Sequence, residues 1–252
     1  MFQDVELMLQ DAELVLQDVE HKFQDVEHKI HRHRTTFLRH VSPLNWAFIW
    51  LFEIKLLLLQ MKKEKNPINM KKLLLIVDAQ YDFINGSLPV PGAEEAMDGL
   101  SRWMDGLEQG AYDNVVLTAD FHTWEHVSFG QWPVHCVAHT HGAAIWQAVL
   151  EAAYRLCGQT KVLTKGTLKN KEEYSILKNS VSRRKLLPLL DDAEQIDVCG
   201  IAGDVCVLDT LKDLVAAGYK EKLNVLLPFC PSLDGGKALK DYVLRTKMKN
   251  EK

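Results

Sequence analysis

The sequence has little net charge and few cysteines, and each of these features argues against certain classes of protein. Its net charge is −4 over 252 residues, so we expect neither nucleic acid nor a membrane surface as a partner. The five cysteines are odd in number and contain no C-x-x-C pair, which argues against a disulfide framework or a zinc ribbon. A reducing, cytoplasmic setting with at least one free thiol fits this pattern.

The sequence also lacks an uninterrupted apolar stretch long enough to cross a bilayer. The apolar run LNWAFIWLFEIKLLLL at residues 44–59 is interrupted by Glu53 and Lys55. A membrane-spanning helix needs roughly 20 predominantly apolar residues, and no small-residue cleavage site follows the run. We therefore expect no stable membrane span.

An internal repeat occupies the N-terminal region. Residues 2–29 form the four heptads FQDVELM, LQDAELV, LQDVEHK and FQDVEHK, whose apolar first and fourth positions predict an amphipathic helix capable of coiled-coil pairing. The near-identity of the other positions exceeds what pairing requires and favours a duplication in the coding DNA. We interpret residues 1–69 as a helical and apolar appendage, consistent with a start codon assigned too far upstream, and residues 70–252 as the folded domain.

From Met70 onward, short apolar runs alternate with helical patterns. The patterns predict strands at 73–77, 114–118, 161–164, 196–200 and 224–227, and helices at 93–107, 143–156, 181–190 and 207–217. The run LLLIV at 73–77 is typical of a strand buried on both faces of a parallel sheet. Repeated β-α units with short connections predict an α/β fold, a doubly wound and mostly parallel sheet with helices on both faces.

Polar residues follow the predicted strands, where ligands bind in such folds. They are Asp78, Asp82, Asp120, His122, Lys165 and Cys206. Each type has an ordinary explanation alone, because an acid can cap a turn, a lysine can be a surface charge and a cysteine is often a small buried apolar residue. Their joint position at the ends of four strands predicts a site.

The stretch TADFHTWEHVSFGQWPVHC at residues 118–136 concentrates histidines around one of these strand ends. Beyond residue 40 the chain has only five: His122, His126, His135, His139 and His141. Imidazoles together with the carboxylate of Asp120 suit zinc, iron or manganese better than calcium or magnesium. The stretch therefore predicts a metal site.

Residues 70–236 resemble the nicotinamidase branch of the isochorismatase-like cysteine hydrolases. The resemblance lies in the segments IVDAQYDFINGSLPVPGA, TADFHTWEHVSF, WPVHC, KGT followed by EEYS, and GIAGDVCVLDT. They occur in the order and spacing of that family and cover nearly the whole domain. The resemblance implies an isochorismatase-like hydrolase fold.

The resemblance also assigns roles to individual residues. It implies a catalytic triad of Asp78, Lys165 and Cys206 and an oxyanion hole formed at Ala202 and the amide of Cys206, with a cis bond at Ile201–Ala202. The implied metal ligands are Asp120, His122 and His135, with His126 as a fourth ligand or a group beside them. The implied walls of the substrate pocket are Phe83, Trp132 and Tyr174. His139 and His141 are then expected at the surface.

The activity implied by the resemblance is metal-dependent conversion of nicotinamide to nicotinate and ammonia, through a thioester, in NAD salvage. It implies one divalent metal ion, zinc before iron or manganese, that holds the pyridine ring. We expect Lys165 and the following helix N-terminus to lower the pKa of Cys206.

Two alternatives stay open from sequence. One is another cysteine amidase or an isochorismatase-type hydrolase of the same fold. The other is a non-catalytic interaction protein assembled by the heptads. The expected partner is a small-molecule substrate, and a homo-oligomer stays open.

Overall fold

A computed structural model describes residues 70–251, in which six strands form one parallel sheet. The strands are β1 (Lys72–Val77), β2 (Asn114–Asp120), β3 (Thr160–Lys165), β4 (Gln195–Gly200), β5 (Leu223–Leu226) and β6 (Lys249–Glu251). Their order across the sheet is β3-β2-β1-β4-β5-β6, and every neighbouring pair is parallel. The predicted α/β class is confirmed. The heptads and the apolar run lie outside the described residues, so the interpretations of them stay predictions.

Six α-helices connect or flank the strands. They are α1 (Tyr81–Ile84), α2 (Ala93–Asp105), α3 (Gln147–Leu156), α4 (Ser180–Asp192), α5 (Leu208–Ala216) and α6 (Lys237–Thr246). Because crossovers between parallel strands are right-handed, the reversal of strand order at β1 and β4 places α2 and α3 on one face and the last three helices on the other. Within residues 70–251, no helix is long and apolar enough to cross a membrane.

Burial follows the apolar pattern of the sequence. Residues 73–77 of β1 are fully buried, as expected for the centre of a sheet covered on both faces. Helix α2 buries Met97, Leu100 and Met104, which share one helical face, and it packs against α3. The small residues Ala152 and Ala153 of α3 are also buried.

Two predicted helix starts differ from the structure. The helix predicted from residue 143 begins at Gln147, because the Ala144 carbonyl accepts a hydrogen bond from Tyr81 N–H, and Ile145 forms a β-bridge with Gln80. The helix predicted from residue 207 is preceded by a π-helical turn, Gly203–Val207, and α5 itself begins at Leu208. Both departures bring chain segments to the carboxyl edge of the sheet.

Candidate active site

Four of the predicted site residues meet in one buried cluster at the carboxyl edge of the sheet. The Lys165 ammonium lies 2.7 Å from Asp78 Oδ2 and 2.7 Å from Asp120 Oδ1. It also lies 3.6 Å from Cys206 Sγ. Asp78 and Lys165 are fully buried, and Cys206 is only 5% exposed. The cluster thus combines a carboxylate, an ammonium and a thiol in direct contact.

Strand register explains how the cluster forms. Asp120 ends β2 and Lys165 ends β3, and the two residues are direct partners in the parallel ladder. Asp78 follows β1, where its backbone N–H and Oδ1 both bond to Thr118 of β2. Gly200 ends β4 beside Val77 with a φ of +125°, and a Cβ there would lie 2.0 Å from the Val77 carbonyl oxygen. Only glycine therefore lets the chain leading to Cys206 start this close to β1.

The protonation of Lys165 and Asp78 follows from their mutual contacts. Burial alone would lower the pKa of Lys165, but the Asp120 and Asp78 carboxylates raise that pKa well above its usual value. Burial raises the pKa of Asp78 against the opposing charge of Lys165, and the Asp120 charge adds to the rise. Lys165 is thus a cation, and Asp78 is a stronger base than an exposed aspartate.

The expectation that the pKa of Cys206 is lowered is wrong in direction. Burial raises this pKa well above its usual value, and the charges of Asp78 and Asp120 raise it further while Lys165 opposes them. A carboxylate oxygen of Asp78 lies within 4.8 Å of the Cys206 sulfur. The resting Cys206 side chain is therefore a protonated thiol with a carboxylate close by.

The buried side chain of Gln80 holds Asp120 from the other side, a role that the sequence did not indicate. Its Oε1 accepts from Asp120 N–H at 2.8 Å, and its Nε2 donates to the carbonyls of Asp120 and Ala143 at 2.8 and 2.9 Å. A glutamine three residues after a strand, in the segment VDAQYDF, is the only signal that could have singled it out.

Asp120, His122 and His135 form a buried group whose ligand atoms lie within 4.8 Å of one another. His122 Nδ1 lies 2.9 Å from the Gly166 carbonyl, and His135 Nδ1 lies 2.7 Å from the Pro133 carbonyl. A carbonyl can only accept, so both Nδ1 atoms carry the proton and both Nε2 atoms keep a lone pair. Among the described residues, His122 Nε2 is buried without a hydrogen-bond partner. This donor set fits a zinc ion.

The remaining oxygen of Asp120 faces the same group. Asp120 Oδ2 lies 3.7 Å from His122 Nε2, whereas Oδ1 contacts Lys165. Burial lowers the pKa of His122, which favours the neutral imidazole that a metal requires. One carboxylate therefore borders both the candidate metal ligands and the proposed triad.

His126 lies beside this group with both ring nitrogens engaged. Its ring stacks on His122 with centroids 4.0 Å apart. Its Nδ1 accepts from Ser128 N–H, and its Nε2 lies 3.1 Å from the Lys171 carbonyl. Direct ligation by His126 and a role beside the ligands both stay predictions.

A cleft opens from Cys206 to solvent. Phe83, Trp132 and Tyr174, the three predicted pocket residues, all line it, together with His135 and Ala202. Trp132 Nε1 donates to the Tyr174 hydroxyl at 3.1 Å, which fixes the two rings relative to each other. The sequence did not indicate the further lining residues Leu88, Val90, Ser128, Glu172, Val205 and Leu233.

The predicted cis peptide bond at Ile201–Ala202 is present. Among residues 70–251, the Ala202 amide donates to no carbonyl and no side chain. Ala202 lines the cleft beside Cys206, so its N–H can serve as a donor to a bound ligand.

Three polar residues of the predicted segments lie apart from the cluster. Asp82 accepts from the backbone N–H groups of Ser87 and Cys136, so it organises loops around the cleft. His139 and His141 are exposed, as expected. All five cysteines are free, buried thiols.

The sequence model of the Isochorismatase domain matches residues 72–225. The chain belongs to the isochorismatase family. The family resemblance inferred from the motifs is therefore confirmed.

Relatives place the chain more closely within that family. It is 31% identical over 175 residues to the nicotinamidase/pyrazinamidase of Mycobacterium tuberculosis, covering 65% of this chain and 89% of the relative. The structure of PnC1 from L. infantum in complex with nicotinate is 25% identical, with a TM-score of 0.62 over 73% of this chain and 93% of that one. The pyrazinamidase of Pyrococcus horikoshii in complex with zinc has a TM-score of 0.61 at 23% identity, over 72% and 99%.

Proposed function

We propose that this chain is a metal-dependent cysteine amidohydrolase that converts nicotinamide to nicotinate and ammonia, in the salvage of NAD. One observation carries the proposal: Lys165 lies within 3.6 Å of the Cys206 thiol and contacts Asp78 at 2.7 Å, beneath an aromatic cleft. The names of the relatives, the bound nicotinate of the L. infantum structure and the zinc of the P. horikoshii structure support it.

The triad geometry suits covalent catalysis of amide cleavage. Cys206 Sγ attacks the carboxamide carbon while its proton passes to Asp78, whose carboxylate lies within 4.8 Å of the sulfur. The C–N bond then breaks, the Asp78 proton leaves with ammonia, and a thioester remains on Cys206. Water hydrolyses the thioester with Asp78 again taking a proton, and this step releases the carboxylate and restores the thiol.

Lys165 and the backbone stabilise the charges that develop. The ammonium is fixed between Asp78 and Asp120, where it favours thiolate character on Cys206 during attack. The amides of Ala202 and Cys206 would bind the oxyanion, and one such donor is typically worth about 3 kcal/mol.

Asp120, His122 and His135 would hold the metal ion, with zinc first and iron or manganese as alternatives. When bound, the metal supplies an electrophilic centre that orients the ring nitrogen of the substrate. The rings of Phe83, Trp132 and Tyr174 would hold the flat pyridine and place its carboxamide over Cys206, and orientation of this kind can supply several kcal/mol.

Replacing the nucleophile tests the proposal. We expect Cys206→Ala to lose about 10⁴-fold or more in ammonia release from nicotinamide, as when a triad nucleophile is removed elsewhere. Metal content should be unchanged, because Cys206 is not among the proposed ligands. Cys157→Ala, a buried thiol whose partners are Asp113 and Gln159, is the matched control with normal turnover. Normal turnover by Cys206→Ala would refute the mechanism.

An ammonia-release assay of the wild-type chain across nicotinamide, pyrazinamide and acid-bearing amides separates this function from the other cysteine amidases of the fold. Preference for nicotinamide supports the proposal, and turnover of the acid-bearing amides alone would refute it.

A further inference from the structure

Glu173 is a buried carboxylate with no part in the chemistry described above. It is 1% exposed, and all its partners are hydrogen-bond donors. Its Oε2 accepts from Gly166 N–H and from Asn179 Nδ2, both at 2.9 Å, and its Oε1 accepts from Lys171 Nζ at 2.6 Å. A buried carboxylate is costly unless such partners surround it, so its position calls for a role.

Gly166 connects Glu173 to the metal group. The Gly166 N–H donates to Glu173, and the Gly166 carbonyl accepts from His122 Nδ1 at 2.9 Å. Gly166 has a φ of +63°, and a Cβ at this residue would lie 2.4 Å from His122 Cε1. The Gly166 backbone therefore packs directly against the His122 imidazole, and the backbone dihedral angles of Gly166 set the direction of its carbonyl.

The segment between β3 and α4 holds a second histidine in the same way. The Lys171 carbonyl lies 3.1 Å from His126 Nε2, while the Lys171 ammonium bonds to Glu173. Asn179 fixes the end of this segment next to α4, because its Oδ1 accepts hydrogen bonds from the N–H groups of Val181 and Ser182 at the start of that helix. Glu173 is thus the common partner of the residues that orient His122 and His126.

We propose that Glu173 is a positioning residue for the metal centre. It fixes Gly166 and Lys171 so that their carbonyls hold the two imidazoles with Nε2 of His122 directed toward Asp120 and His135. Groups that orient metal ligands in this way typically change metal affinity by about 10- to 100-fold when they are removed. The inference rests on the metal site of the proposed function.

Only a carboxylate satisfies this position. Its three partners are all donors, so the amide group of Glu173→Gln would turn its own NH₂ toward one of them. Glu173→Gln therefore keeps the size of the side chain but disturbs the hydrogen bonds, and Glu173→Ala removes them all.

Zinc affinity, measured on the full chain by competition with a chromophoric chelator, tests the proposal. We expect zinc binding about 10-fold weaker or more in Glu173→Ala and a smaller loss in Glu173→Gln. The control is Asp197→Asn, which alters another buried carboxylate, on β4, whose partners include Gln195 and Asn224. This control should lower the melting temperature but leave zinc affinity unchanged.

Wild-type zinc affinity in both Glu173 variants, with only a lowered melting temperature, would overturn the role of Glu173. If Glu173→Ala does not fold, Glu173→Gln decides the question by the same measure. Failure of the wild-type chain to bind zinc would instead refute the metal site itself. Nicotinamide hydrolysis by the wild type, assayed separately, tests the proposed activity.

Discussion

At the scale of single residues, Asp120 links the two halves of the candidate site. One of its oxygens contacts the Lys165 ammonium, and the other faces His122. Its backbone is held at both ends by Gln80. A substitution of Asp120 would therefore disturb both the charges around Lys165 and the candidate metal ligands. Such a variant cannot separate metal binding from the chemistry at Lys165.

His122 offers a cleaner test of the metal group. Its Nε2 lone pair faces Asp120, and its side chain makes no contact with Cys206 that the mechanism needs. We expect His122→Ala to lower bound metal well below one ion per chain and to reduce nicotinamide hydrolysis. Elemental analysis of purified protein measures the first effect. His141→Ala, an exposed imidazole outside the group, is the control. Unchanged metal stoichiometry in His122→Ala would show that the metal lies elsewhere.

Sequence could predict the residues proposed to react but not the residues that hold them in place. Asp78 follows β1, and Asp120 and Lys165 end β2 and β3, so the parallel strands bring all three to one edge. Gln80 and Glu173 act through hydrogen bonds to backbone groups about 40 and 7 residues away, as the 2.8 and 2.9 Å contacts show. No residue pattern encodes a bond to a distant backbone amide. The raised pKa of Cys206 was likewise missed, because it depends on the depth of burial.

At the scale of elements, the π-helical turn Gly203–Val207 carries Cys206, and Asp204 in this turn ties the turn to the loop before α6. Asp204 accepts from the N–H groups of Leu233 and Asp234. Leu233 lines the cleft, so the loop that closes one side of the pocket is anchored to the turn that carries Cys206.

Asp234 in turn caps α6, which gives a stability prediction. Its carboxylate accepts from Gly236, Lys237 and Ala238 N–H, and these bonds, with Ala238 first, lower the pKa of Asp234. Loss of a cap costs about 1 kcal/mol, so we expect Asp234→Ala to lower the free energy of unfolding by about that amount at pH 7.

The pH dependence of this cap has a definite sign. The pKa of Asp234 is lower in the folded state than in the unfolded state, so the ionised carboxylate stabilises the fold fully above the unfolded pKa of about 4. This stabilisation is lost as the pH falls through the folded pKa. The difference in free energy of unfolding between the wild type and Asp234→Ala should therefore become smaller in strongly acidic solution. Urea unfolding at pH 7 and at acidic pH measures it, with Asp241→Ala, an exposed acid on α6, as control. A difference in free energy of unfolding that becomes larger at acidic pH would contradict the capping role.

The strands were easier to predict than the irregular elements. The runs at 73–77, 114–118 and 196–200 are continuous and buried, and each lies within an observed strand. Strand β6 and the turn before α5 escaped prediction. The first has the polar sequence KNE, and the second depends on the approach of the chain to β1 and to Pro231, which accepts from Gly203 N–H.

At the scale of the whole molecule, the candidate site lies where the strand order reverses. Strands β1 and β4 are neighbours, yet the chain leaves them toward opposite edges of the sheet. Asp78 follows the first strand and the Cys206 turn follows the second, so the crevice between the diverging connections is the site that a doubly wound sheet offers a ligand. The family match at residues 72–225 includes all three residues of the proposed triad.

This placement predicts that residues 70–252 suffice for folding and activity. The six-stranded sheet, both helical layers and every candidate site residue lie within residues 70–251. We expect a chain that begins at Met70 to unfold cooperatively in urea and to release ammonia from nicotinamide at a rate within about 2-fold of the full chain, since its catalytic contacts are the same. A chain that begins at residue 79 is the control, because it lacks Asp78 and the fully buried central strand β1 and should not fold. If the chain from Met70 is inactive or aggregates while the full-length protein is active, residues 1–69 are required. A separate test is mass spectrometry of the protein from its native cell, where peptides from the heptads would contradict the upstream-start interpretation.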